Sequence, residues 1–322
     1  MNAERRVKEQ LELRIKDENG CLLTEENAVK ARWNEYFNEL LNVDDGREAE
    51  LTEGRIAGVN AEVRQEVDIN VNDVKRAVKK LKNGKTPGVD GITNEMLRYG
   101  GECMVEWLTR VIVVCFKEGR VPKDWMKAII IPIYKGKGDK GECKNYRGIS
   151  LLSMPGKVYG RVLIEKVEGL TERFVREEQC GFRKGRGCVD QVFVMNQLIE
   201  KFGSKGKCLY VSFMDLEKAY DRVNRSAMWK VLEQYGVSGK LLQAVKSFYV
   251  ESEACVRVCR QESDWFGVKV GLRQGCVMSP WLFNVFIDGV MREVQQEVRE
   301  TGASLWDASH NCFESRMADI CG

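Results

Sequence analysis

The sequence predicts an α+β fold, on two kinds of local pattern and one global quantity. Short runs rich in β-branched and aromatic residues, typical of strands, occur at residues 128–134, 148–152, 208–214 and 254–258. Longer segments with apolar residues at helical spacing occur at residues 103–117, 154–167 and 280–298. The chain has 322 residues, of which 43% are hydrophobic, so it is long enough to bury a sizeable core.

Composition excludes several classes of protein. The net charge of +3 says little about partners, so any basic surface must come from local clustering. The twelve cysteines include no Cys-x-x-Cys pair, and His310 is the only histidine, which argues against a zinc site. The first residues are charged, unlike a signal peptide, and no apolar run reaches the roughly 18 residues of a membrane span. We expect an intracellular protein with reduced thiols and no membrane association, in the nucleus or the cytoplasm.

The N-terminal region predicts one packed helix. Thr24-Glu25-Glu26 opens an amphipathic segment, and its apolar side chains recur at helical spacing: Trp33, Tyr36, Phe37, Leu40 and Leu41. This aromatic stripe indicates a packing face rather than a ligand site. Asp44-Asp45-Gly46 ends the helix, and a polar connector follows to about residue 67.

A helix and a turn-rich loop come next. Asn72 and Asp73 predict a helix cap, and the helix places Val74, Ala77, Val78 and Leu81 on one face. Residues 83–91 are dense in turn formers and, taken alone, predict a surface loop. A second helix spans about residues 103–117 and ends at Gly119.

Two predicted strands, residues 125–134 and 148–152, enclose a basic loop. Residues 135–147 contain five basic and two acidic side chains, and glycines in the loop allow close approach of a phosphate. Composition alone favours a solvated hairpin. A helix then covers residues 154–167, with Pro155 near its start.

A second basic segment precedes the centre of the chain. In Gly-Phe-Arg183-Lys184-Gly-Arg186, glycines space the basic residues and an aromatic lies among them, which suits phosphate contacts and base stacking. Asp190 predicts the cap of a helix that runs through Ile199.

Residues 208–214 predict a buried strand, with Asp215 at its end. A carboxylate at the lip of a sheet needs a partner, and a divalent cation is the strongest one available, although an isolated aspartate here would favour simple solvation. Asp221 lies past the strand end, and we expect it to point away from Asp215. A helix capped by Asn224 or Ser226 and stopped by Gly236 follows.

The last part of the pattern consists of helix 241–248, strands 254–258 and 266–270, a glycine-containing turn at residues 271–275, and helix 280–298. Read as structure only, the turn and the final helix form a core element.

Four ordered motifs resemble those of reverse transcriptases, especially of non-LTR (LINE-like) retrotransposons and group II introns. Phe-x-Asp-Leu-x-Lys-Ala-Tyr-Asp, residues 213–221, resembles the first palm motif. Gly-x-Arg-Gln-Gly-x-x-x-Ser-Pro-x-Leu-Phe-Asn, residues 271–284, resembles the second. Residues 85–92 and 146–150 resemble the extra fingers block and the fingers hairpin. The resemblance covers the chain up to about Leu305 and implies a right-hand polymerase's fingers and partial palm.

The resemblance implies a role for each matching residue. Asp215 and the backbone carbonyl of Leu216 would hold two Mg²⁺ (or Mn²⁺) ions for phosphoryl transfer. The remaining roles concern nucleotide and nucleic acid: Tyr220 under the incoming sugar, where it excludes a 2′-hydroxyl; Gln274 near the incoming nucleotide; Lys135 and Arg147 on its triphosphate; and Arg183, Lys184, Arg186 and Gly275 against template and primer. The implied partners are template RNA, a DNA primer and deoxynucleoside triphosphates.

The pattern departs from the family near its end. The family's next element is a β-hairpin that carries Ala-Asp-Asp, whereas this sequence has Met-Ala-Asp319-Ile. The partial match at Asp319 is better explained by chance than by a role as a metal ligand. We therefore expect a chain truncated before that motif and inactive as a polymerase. The alternatives are an active polymerase, a non-catalytic RNA- or DNA-binding remnant, a truncated translation product, or a group II intron maturase-like enzyme.

The expected division of the chain follows from these motifs. Residues 1–66 form a helical connector, residues 67–206 the fingers, residues 207–300 the partial palm, and residues 301–322 a divergent tail.

Overall fold

A computed structural model describes residues 14–43, 67–211 and 213–300, with side chains as far as residue 296. In these ranges the helices are α1 (Glu26–Leu41), α2 (Val71–Lys79), α3 (Asn94–Tyr99), α4 (Gly101–Glu118), α5 (Lys123–Met126), α6 (Met154–Thr171), α7 (Cys188–Ser204), α8 (Arg225–Gln234), α9 (Gly239–Lys246) and α10 (Ser279–Glu300). The strands are β1 (Ile15–Lys16), β2 (Leu22–Leu23), β3 (Lys127–Tyr134), β4 (Tyr146–Leu151), β5 (Glu253–Val258), β6 (Gln261–Glu262) and β7 (Phe266–Gly267). This mixture of helices and sheet confirms the α+β class.

One sheet joins distant parts of the chain. Its order is β4-β3-β5-β6, and β7 also pairs with β5. Strands β3 and β4 form an antiparallel hairpin in which Ile133 lies opposite Arg147. Strand β3 runs parallel to β5, with Lys127 opposite Glu253. The predicted fingers hairpin is therefore continued into a larger sheet by residues that follow the first palm motif.

The connector helix α1 packs on this sheet. Its buried Trp33 and Phe37 share a hydrophobic cluster with Tyr146 of β4 and Val256 of β5. The ring centroids of Trp33 and Tyr146 lie 4.9 Å apart in an edge-to-face contact. The prediction that the aromatic stripe is a packing face is confirmed, and α1, β4 and β5 contribute to one hydrophobic cluster at the sheet.

A second hydrophobic cluster unites the helices. It takes buried side chains from α2, α4, α6, α8, α9 and α10, with the fully buried Tyr159 and Leu163 of α6 among them. Helix α6 is apolar on most of its circumference, as expected of a helix surrounded by others.

Helix ends follow local chemistry, with two shifts from prediction. The cap of α2 is Asn70, and Asp73 closes a capping box by accepting from the Asn70 amide, so the predicted cap at Asn72 is wrong by two residues. The predicted cap of α7 at Asp190 is also shifted, because the N-cap is Gly187. Asp190 lies in the first turn and accepts a hydrogen bond from the Gly187 amide. Asn224 caps α8 as predicted, by accepting from the Ala227 amide at 3.0 Å.

The predicted buried strand at residues 208–214 is wrong. Its described residues adopt no regular structure, and Tyr210, Phe213 and Met214 are 93%, 87% and 83% exposed. A strand is stable only when its backbone groups find partners across a ladder, and no described strand pairs with this segment. The strand predicted at 266–270 is also shorter, since only Phe266–Gly267 pairs with β5.

Several expectations lie outside the described residues: the polar connector between residues 44 and 66, the divergent tail from residue 301, and Asp319. Among the helices that the structure describes, none is long and apolar enough to cross a membrane.

Candidate active site

The turn at residues 271–275 links the motif at residues 213–221 to the β3–β4 hairpin. The Ser150 amide of β4 donates to the Gln274 carbonyl at 2.7 Å. On the other side, the Leu272 amide donates to the Tyr220 carbonyl at 2.7 Å, and the Gly271 amide donates to the Val223 carbonyl at 2.9 Å. Backbone hydrogen bonds thus hold the start of the second motif between β4 and the end of the first.

Two glycines make this close approach possible. Gly271 has φ +82°, and a Cβ there would lie 2.5 Å from the Asp221 carbonyl oxygen. Gly275 has φ +111°, and a Cβ there would lie 2.8 Å from the Ser150 carbonyl oxygen. Both positions need glycine for conformation and for space. The packing of Gly275 against β4 is what the structure shows, and its contact with template or primer stays a prediction.

Two buried arginines, Arg273 of the turn and Arg225 of α8, fix the position of the turn through hydrogen bonds to backbone carbonyls. Arg273 donates to the carbonyl oxygens of Trp125 at 3.0 Å and Met126 at 2.6 Å, and also to that of Phe248. Arg225 donates to the carbonyl oxygens of Gly271, Val268 and Val270 at 3.0, 2.8 and 3.2 Å. Burial lowers the pKa of Arg225 to about 10, and the nearby charge of Arg273 acts in the same direction. Arg225 therefore supplies hydrogen-bond donors to the irregular backbone of residues 268–271, whereas Arg273 connects the turn to residues 125, 126 and 248.

Asp221 and Gln274 meet at the centre of the site. The Gln274 Nε2 donates to both carboxylate oxygens of Asp221, at 2.8 and 2.9 Å. Burial raises the pKa of Asp221, although the Gln274 hydrogen bond and the charges of Lys218 and Lys135 oppose that rise. A cavity of about 30 Å³ is lined by this pair, among others. Sequence reasoning placed Asp221 away from the site, whereas the structure pairs it with a predicted nucleotide-binding residue.

Tyr220 is held rigidly beside this pair. Its ring stacks on Phe283 of α10, with centroids 4.7 Å apart and planes inclined by 16°. Burial raises the pKa of its phenol, and the hydroxyl is buried without a hydrogen-bond partner. A ring fixed by stacking on a core helix presents a defined steric boundary.

The candidate metal ligands are not assembled among the described residues. Asp215 is exposed, and Leu216 is 49% exposed. In the part of the chain that the structure describes, the only group of three acidic side chains near enough to share an ion is Glu18, Glu35 and Glu39, all exposed. A pair of divalent ions needs several carboxylates converging on one place, so the described donor set does not fit a two-metal centre at Asp215.

The predicted triphosphate ligands lie on the fingers hairpin. Lys135 follows β3, and its Nζ donates to the Lys144 carbonyl oxygen at 2.8 Å. Arg147 of β4 is exposed opposite Ile133. Both side chains are exposed to solvent. The Lys135 amide donates to the Asn145 carbonyl at 2.9 Å and so closes the loop between the two strands.

The second basic segment divides into buried and exposed residues. The Arg183 side chain is 4% exposed, donates to Glu172 through Nε at 3.1 Å and Nη2 at 2.7 Å, and reaches the Arg176 carbonyl through Nη1 at 2.7 Å. Arg186 forms an ion pair with Glu177, and Lys184 is exposed. In this conformation Lys184 is the residue of the three most accessible to a phosphate, and the nucleic-acid contacts of all three stay predictions.

The loop at residues 83–91 is more than a surface connection. A Cβ at Gly88 would lie 2.5 Å from the backbone of Leu152 and Ser153, and the Ser153 hydroxyl donates to Asp90 Oδ2 at 2.6 Å. The same hydroxyl accepts from the Gly156 amide at 3.1 Å and so caps α6. The Pro-Gly-x-Asp pattern therefore fixes this loop to the end of β4 and the start of α6.

Sequence reasoning missed two lysines near the site. Lys218 adopts φ +51°, and its Nζ lies 5.3 Å from the ring centroid of Tyr36 in α1. Lys157 of α6 is half-buried; burial lowers its pKa, and the charge of Lys85 acts in the same direction. A lysine inside the first palm motif could have been flagged from its position, but no local pattern identifies its aromatic partner.

Comparison with known proteins points to one family. The profile of the family described as reverse transcriptase (RNA-dependent DNA polymerase) matches residues 134–314, more than half of the chain. The chain is 26% identical over 307 residues to the transposon TX1 uncharacterized 149 kDa protein of Xenopus laevis, an alignment that covers 94% of this chain and 23% of that protein.

Two further relatives come from insects. The RNA-directed DNA polymerase from mobile element jockey of Drosophila melanogaster is 28% identical over 222 residues, which cover 68% of this chain and 24% of that protein. The Pol polyprotein from type-1 retrotransposable element R2 of Nasonia vitripennis is 24% identical over 213 residues, 65% of this chain and 20% of that protein. The chain thus spans about a quarter or less of the length of these relatives. It belongs to the reverse transcriptase (RNA-dependent DNA polymerase) family, among the LINE-like enzymes of non-LTR retrotransposons.

Proposed function

We propose that this chain provides the fingers and part of the palm of a retrotransposon reverse transcriptase, and that it binds template RNA, a DNA primer and a deoxynucleoside triphosphate. The observation that carries the proposal is the convergence of the two palm motifs. Gln274 of the second motif binds Asp221 of the first, and the intervening turn is hydrogen-bonded to β4 of the fingers hairpin. Within the proposed division, residues 67–206 supply the fingers and residues 207–300 the partial palm, behind a connector at residues 1–66.

The proposed nucleotide pocket uses the residues around this junction. Tyr220, immobilised on Phe283, supports the sugar and excludes a 2′-hydroxyl by its bulk. Gln274 lies beside the incoming nucleotide, and its present hydrogen bonds to Asp221 orient it. Lys135 and Arg147, both exposed on the hairpin, bind the triphosphate.

Polymerisation itself needs more than the described residues contain. The family uses divalent metal ions, and the resemblance would place Mg²⁺ at Asp215 with the Leu216 carbonyl, but the described donor set does not fit a two-metal centre there. Because no group of three potential metal-ligating side chains in the described residues includes Asp215, we infer that this chain binds nucleic acid but extends no primer by itself. The second candidate function is therefore a non-catalytic RNA- or DNA-binding protein, which needs only the fingers and the exposed basic residues. The retrotransposon origin of the relatives favours either role over that of a group II intron maturase.

Primer extension decides between an enzyme and a binding protein. Purified protein is incubated with an RNA template, an annealed DNA primer, deoxynucleotides and Mg²⁺ or Mn²⁺, beside the Asp215→Asn variant. We expect a bound hybrid, detected by fluorescence anisotropy, and no extension above the variant. Extension above the variant would show an active polymerase and a working set of metal ligands. Absence of binding to the hybrid at low salt would refute the proposed function altogether.

The salt dependence of binding tests the basic surface. Affinity should fall steeply with salt, because each phosphate neutralised by a cation releases counterions. Lys184→Ala should reduce the magnitude of the logarithmic salt slope by about 0.7 to 0.9. Lys230→Ala, at an exposed position of α8, serves as the control and should leave the slope unchanged. An unchanged slope for Lys184→Ala would exclude a phosphate contact at that residue.

A further inference from the structure

Helix α4 carries a second apolar stripe besides the one that packs into the core. Its inner face contributes four large buried side chains to the helical cluster: Val105, Leu108, Ile112 and Phe116. Its outer face repeats apolar residues at spacings of three and four: Met104, Trp107, Val111 and Val114. Trp107 is 69% exposed and Val114 is 51% exposed. Single exposed apolar side chains are ordinary, but a stripe with this period is typical of a seam along which one helix packs on another.

This outer stripe lines an open groove of about 540 Å³ at the C-terminal half of α4. The helix ends at Gly119, which has φ +64°, and the Arg120 amide donates to the Cys115 carbonyl at 3.2 Å. Residues on both sides of this helix end supply the apolar lining: Trp107, Val111, Val114, Val121 and Pro122. Arg120 is exposed at the rim. The groove is therefore an apolar channel that remains uncovered by the described residues.

Two opposite charges of the groove are arranged symmetrically about Val114. Arg110 lies four residues before Val114 and Glu118 four residues after it, about 6 Å along the helix axis in each direction. Both side chains are exposed. Within the part of the chain that the structure describes, α4 forms an ion pair from Glu102 to Lys75, and neither Arg110 nor Glu118 belongs to one.

This arrangement is self-complementary for antiparallel helices. Two copies of α4 that run antiparallel and meet at Val114 place Arg110 of each copy at the height of Glu118 of the other. Two equivalent ion pairs then form across a two-fold axis. Parallel copies would instead place like charges at the same height, which is unfavourable.

We propose that the groove of α4 is a homodimer interface, which accepts the α4 helix of a second copy of this chain in antiparallel orientation. Trp107 lies about 10 Å from Val114 along the helix, so it reaches the end of the second copy's groove, where Val121 and Pro122 lie. A large aromatic side chain in an apolar groove with a charged rim is typical of residues that dominate binding. A second copy is favoured as the occupant because one surface supplies the apolar stripe and both members of each ion pair.

The dimer should be weak. A contact built on one pair of helices lies at the small end of interface sizes, so we expect half of the chains to be dimeric at a concentration on the order of 10 μM. The inference does not depend on the proposed function, because the groove contains none of the residues proposed to bind nucleotide or nucleic acid.

Sedimentation velocity of the whole chain, over protein concentrations from about 1 to about 100 μM, measures the dimer. The weight-average mass of the wild type should rise from that of one chain towards that of two. Trp107→Ala should weaken dimerisation about tenfold or more. Because Trp107 is mostly exposed, the variant should remain folded, which urea unfolding checks. Phe213→Lys with Met214→Lys is the control, since it removes exposed apolar side chains outside the groove and should leave the dimer unchanged.

Charge reversal tests the antiparallel arrangement. Arg110→Glu and Glu118→Arg should each weaken self-association about tenfold, because each variant replaces two ion pairs by two pairs of like charges. An equimolar mixture of the two single variants should form a heterodimer, in which opposite charges again face each other. The double variant with both changes should also dimerise with itself. Lys230→Glu, at an exposed position of α8, is the matched control for a reversed charge and should dimerise as the wild type does.

Three outcomes would overturn the inference. The first is a wild type that stays monomeric over the whole concentration range; if Trp107→Ala then also lowers its urea midpoint, the groove is covered by a segment of the same chain. The second is a dimer that Trp107→Ala leaves intact. The third is weakening by both charge variants without recovery in their mixture, since the two charges would then not face each other. Binding of the RNA–DNA hybrid, measured in parallel by fluorescence anisotropy, reports on the proposed function alone and should be unchanged in Trp107→Ala.

Discussion

At the scale of single residues, the site contains a carboxylate, Asp221, whose ionised form is disfavoured by burial. Asp221 is bound by the Gln274 amide, which carries no charge, and no described cation lies within ion-pair distance of it. Burial consequently raises the pKa of Asp221. Titratable groups with perturbed pKa values are common at functional sites. This agrees with the position of Asp221 beside the proposed nucleotide pocket.

The raised pKa gives Asp221→Asn a defined pH dependence. A carboxyl whose pKa is higher in the folded than in the unfolded state stabilises the fold below the unfolded value, near 4, and this contribution is lost as pH rises through the folded value. At pH 7 the ionised group therefore lowers the free energy of unfolding. Asparagine keeps an acceptor for Gln274 without the charge, so we expect a higher free energy of unfolding than the wild type at pH 7, measured in urea.

This advantage of Asp221→Asn should shrink as pH is lowered towards 4, because the wild-type carboxyl then takes up its proton. Asp221→Ala, which removes both acceptors, should instead be less stable by about 1 kcal/mol at pH 7. A variant Asp221→Asn that is less stable at pH 7 than at pH 4, relative to the wild type, would contradict the burial argument.

Arg183 and Lys184 are adjacent in sequence but should differ in how much each contributes to the free energy of unfolding. Arg183 is buried and bound to Glu172 and to the Arg176 carbonyl, so Arg183→Ala should lower the free energy of unfolding by about 2 kcal/mol. Lys184 is exposed, and Lys184→Ala should change stability by less than about 0.5 kcal/mol. Urea unfolding of both variants makes the comparison, and equal effects would show that the burial of Arg183 is not decisive.

At the scale of elements, the turn at residues 271–275 depends on space as well as on backbone conformation. It lies between β4 and the Asp221 backbone, Arg225 donates to its Gly271 carbonyl, and its own Arg273 donates to the Trp125 carbonyl. Each of these contacts comes from a different part of the chain. Displacement of the turn would therefore loosen the β3–β4 hairpin and residues 220–223 together.

Gly271→Ala tests this dependence against a matched glycine. Gly271 and Gly136 share φ of +82°, but a Cβ at Gly271 would lie 2.5 Å from the Asp221 carbonyl, while nothing lies within 4 Å at Gly136. Gly136→Ala should cost about 1 kcal/mol, from left-handed strain alone. Gly271→Ala should cost about 2 to 4 kcal/mol, because the neighbouring backbone must also move. Equal losses in urea unfolding would show that the turn has room to adjust.

At the scale of the whole molecule, two consecutive segments of the chain expose several large apolar side chains. The described residues of α7 include none that is buried, and Val189, Val192 and Phe193 are exposed on it. The irregular segment that follows exposes Tyr210, Phe213 and Met214. Exposed apolar side chains that come together in a patch promote association.

Self-association should therefore be reduced by charged residues in that segment. Phe213→Lys with Met214→Lys removes two highly exposed apolar side chains that make little packing contribution. We expect less light scattering at equal protein concentration and a free energy of unfolding within about 0.5 kcal/mol of the wild type. Phe248→Ser is the contrast, since Phe248 is 5% exposed and its loss should destabilise the fold by about 3 kcal/mol or more. Undiminished scattering in the double variant would place the associating surface elsewhere.

Prediction from sequence succeeded where a signal was local and repeated. The apolar spacing of α1, α4, α6 and α10 identified each helix within a few residues, and Gly119 and Gly236 adopt the left-handed conformation expected after a helix. It failed at residues 208–214, because apolar and β-branched composition indicates a strand but does not supply the partner that a strand requires.

The sequence by itself determined the family, the order of its motifs, the packing faces of the helices and the glycines of the second palm motif. These properties depend on residue spacing and on φ preferences, which neighbours in the chain set. Only the tertiary structure decided that Asp221 binds Gln274, that the Lys218 ammonium lies near the Tyr36 ring, and that Arg183 is buried while Lys184 is exposed. Each of these depends on which distant segments pack against each other. Burial changes the protonation equilibrium and the accessibility of a side chain, and the local sequence does not reveal which side chains will be buried.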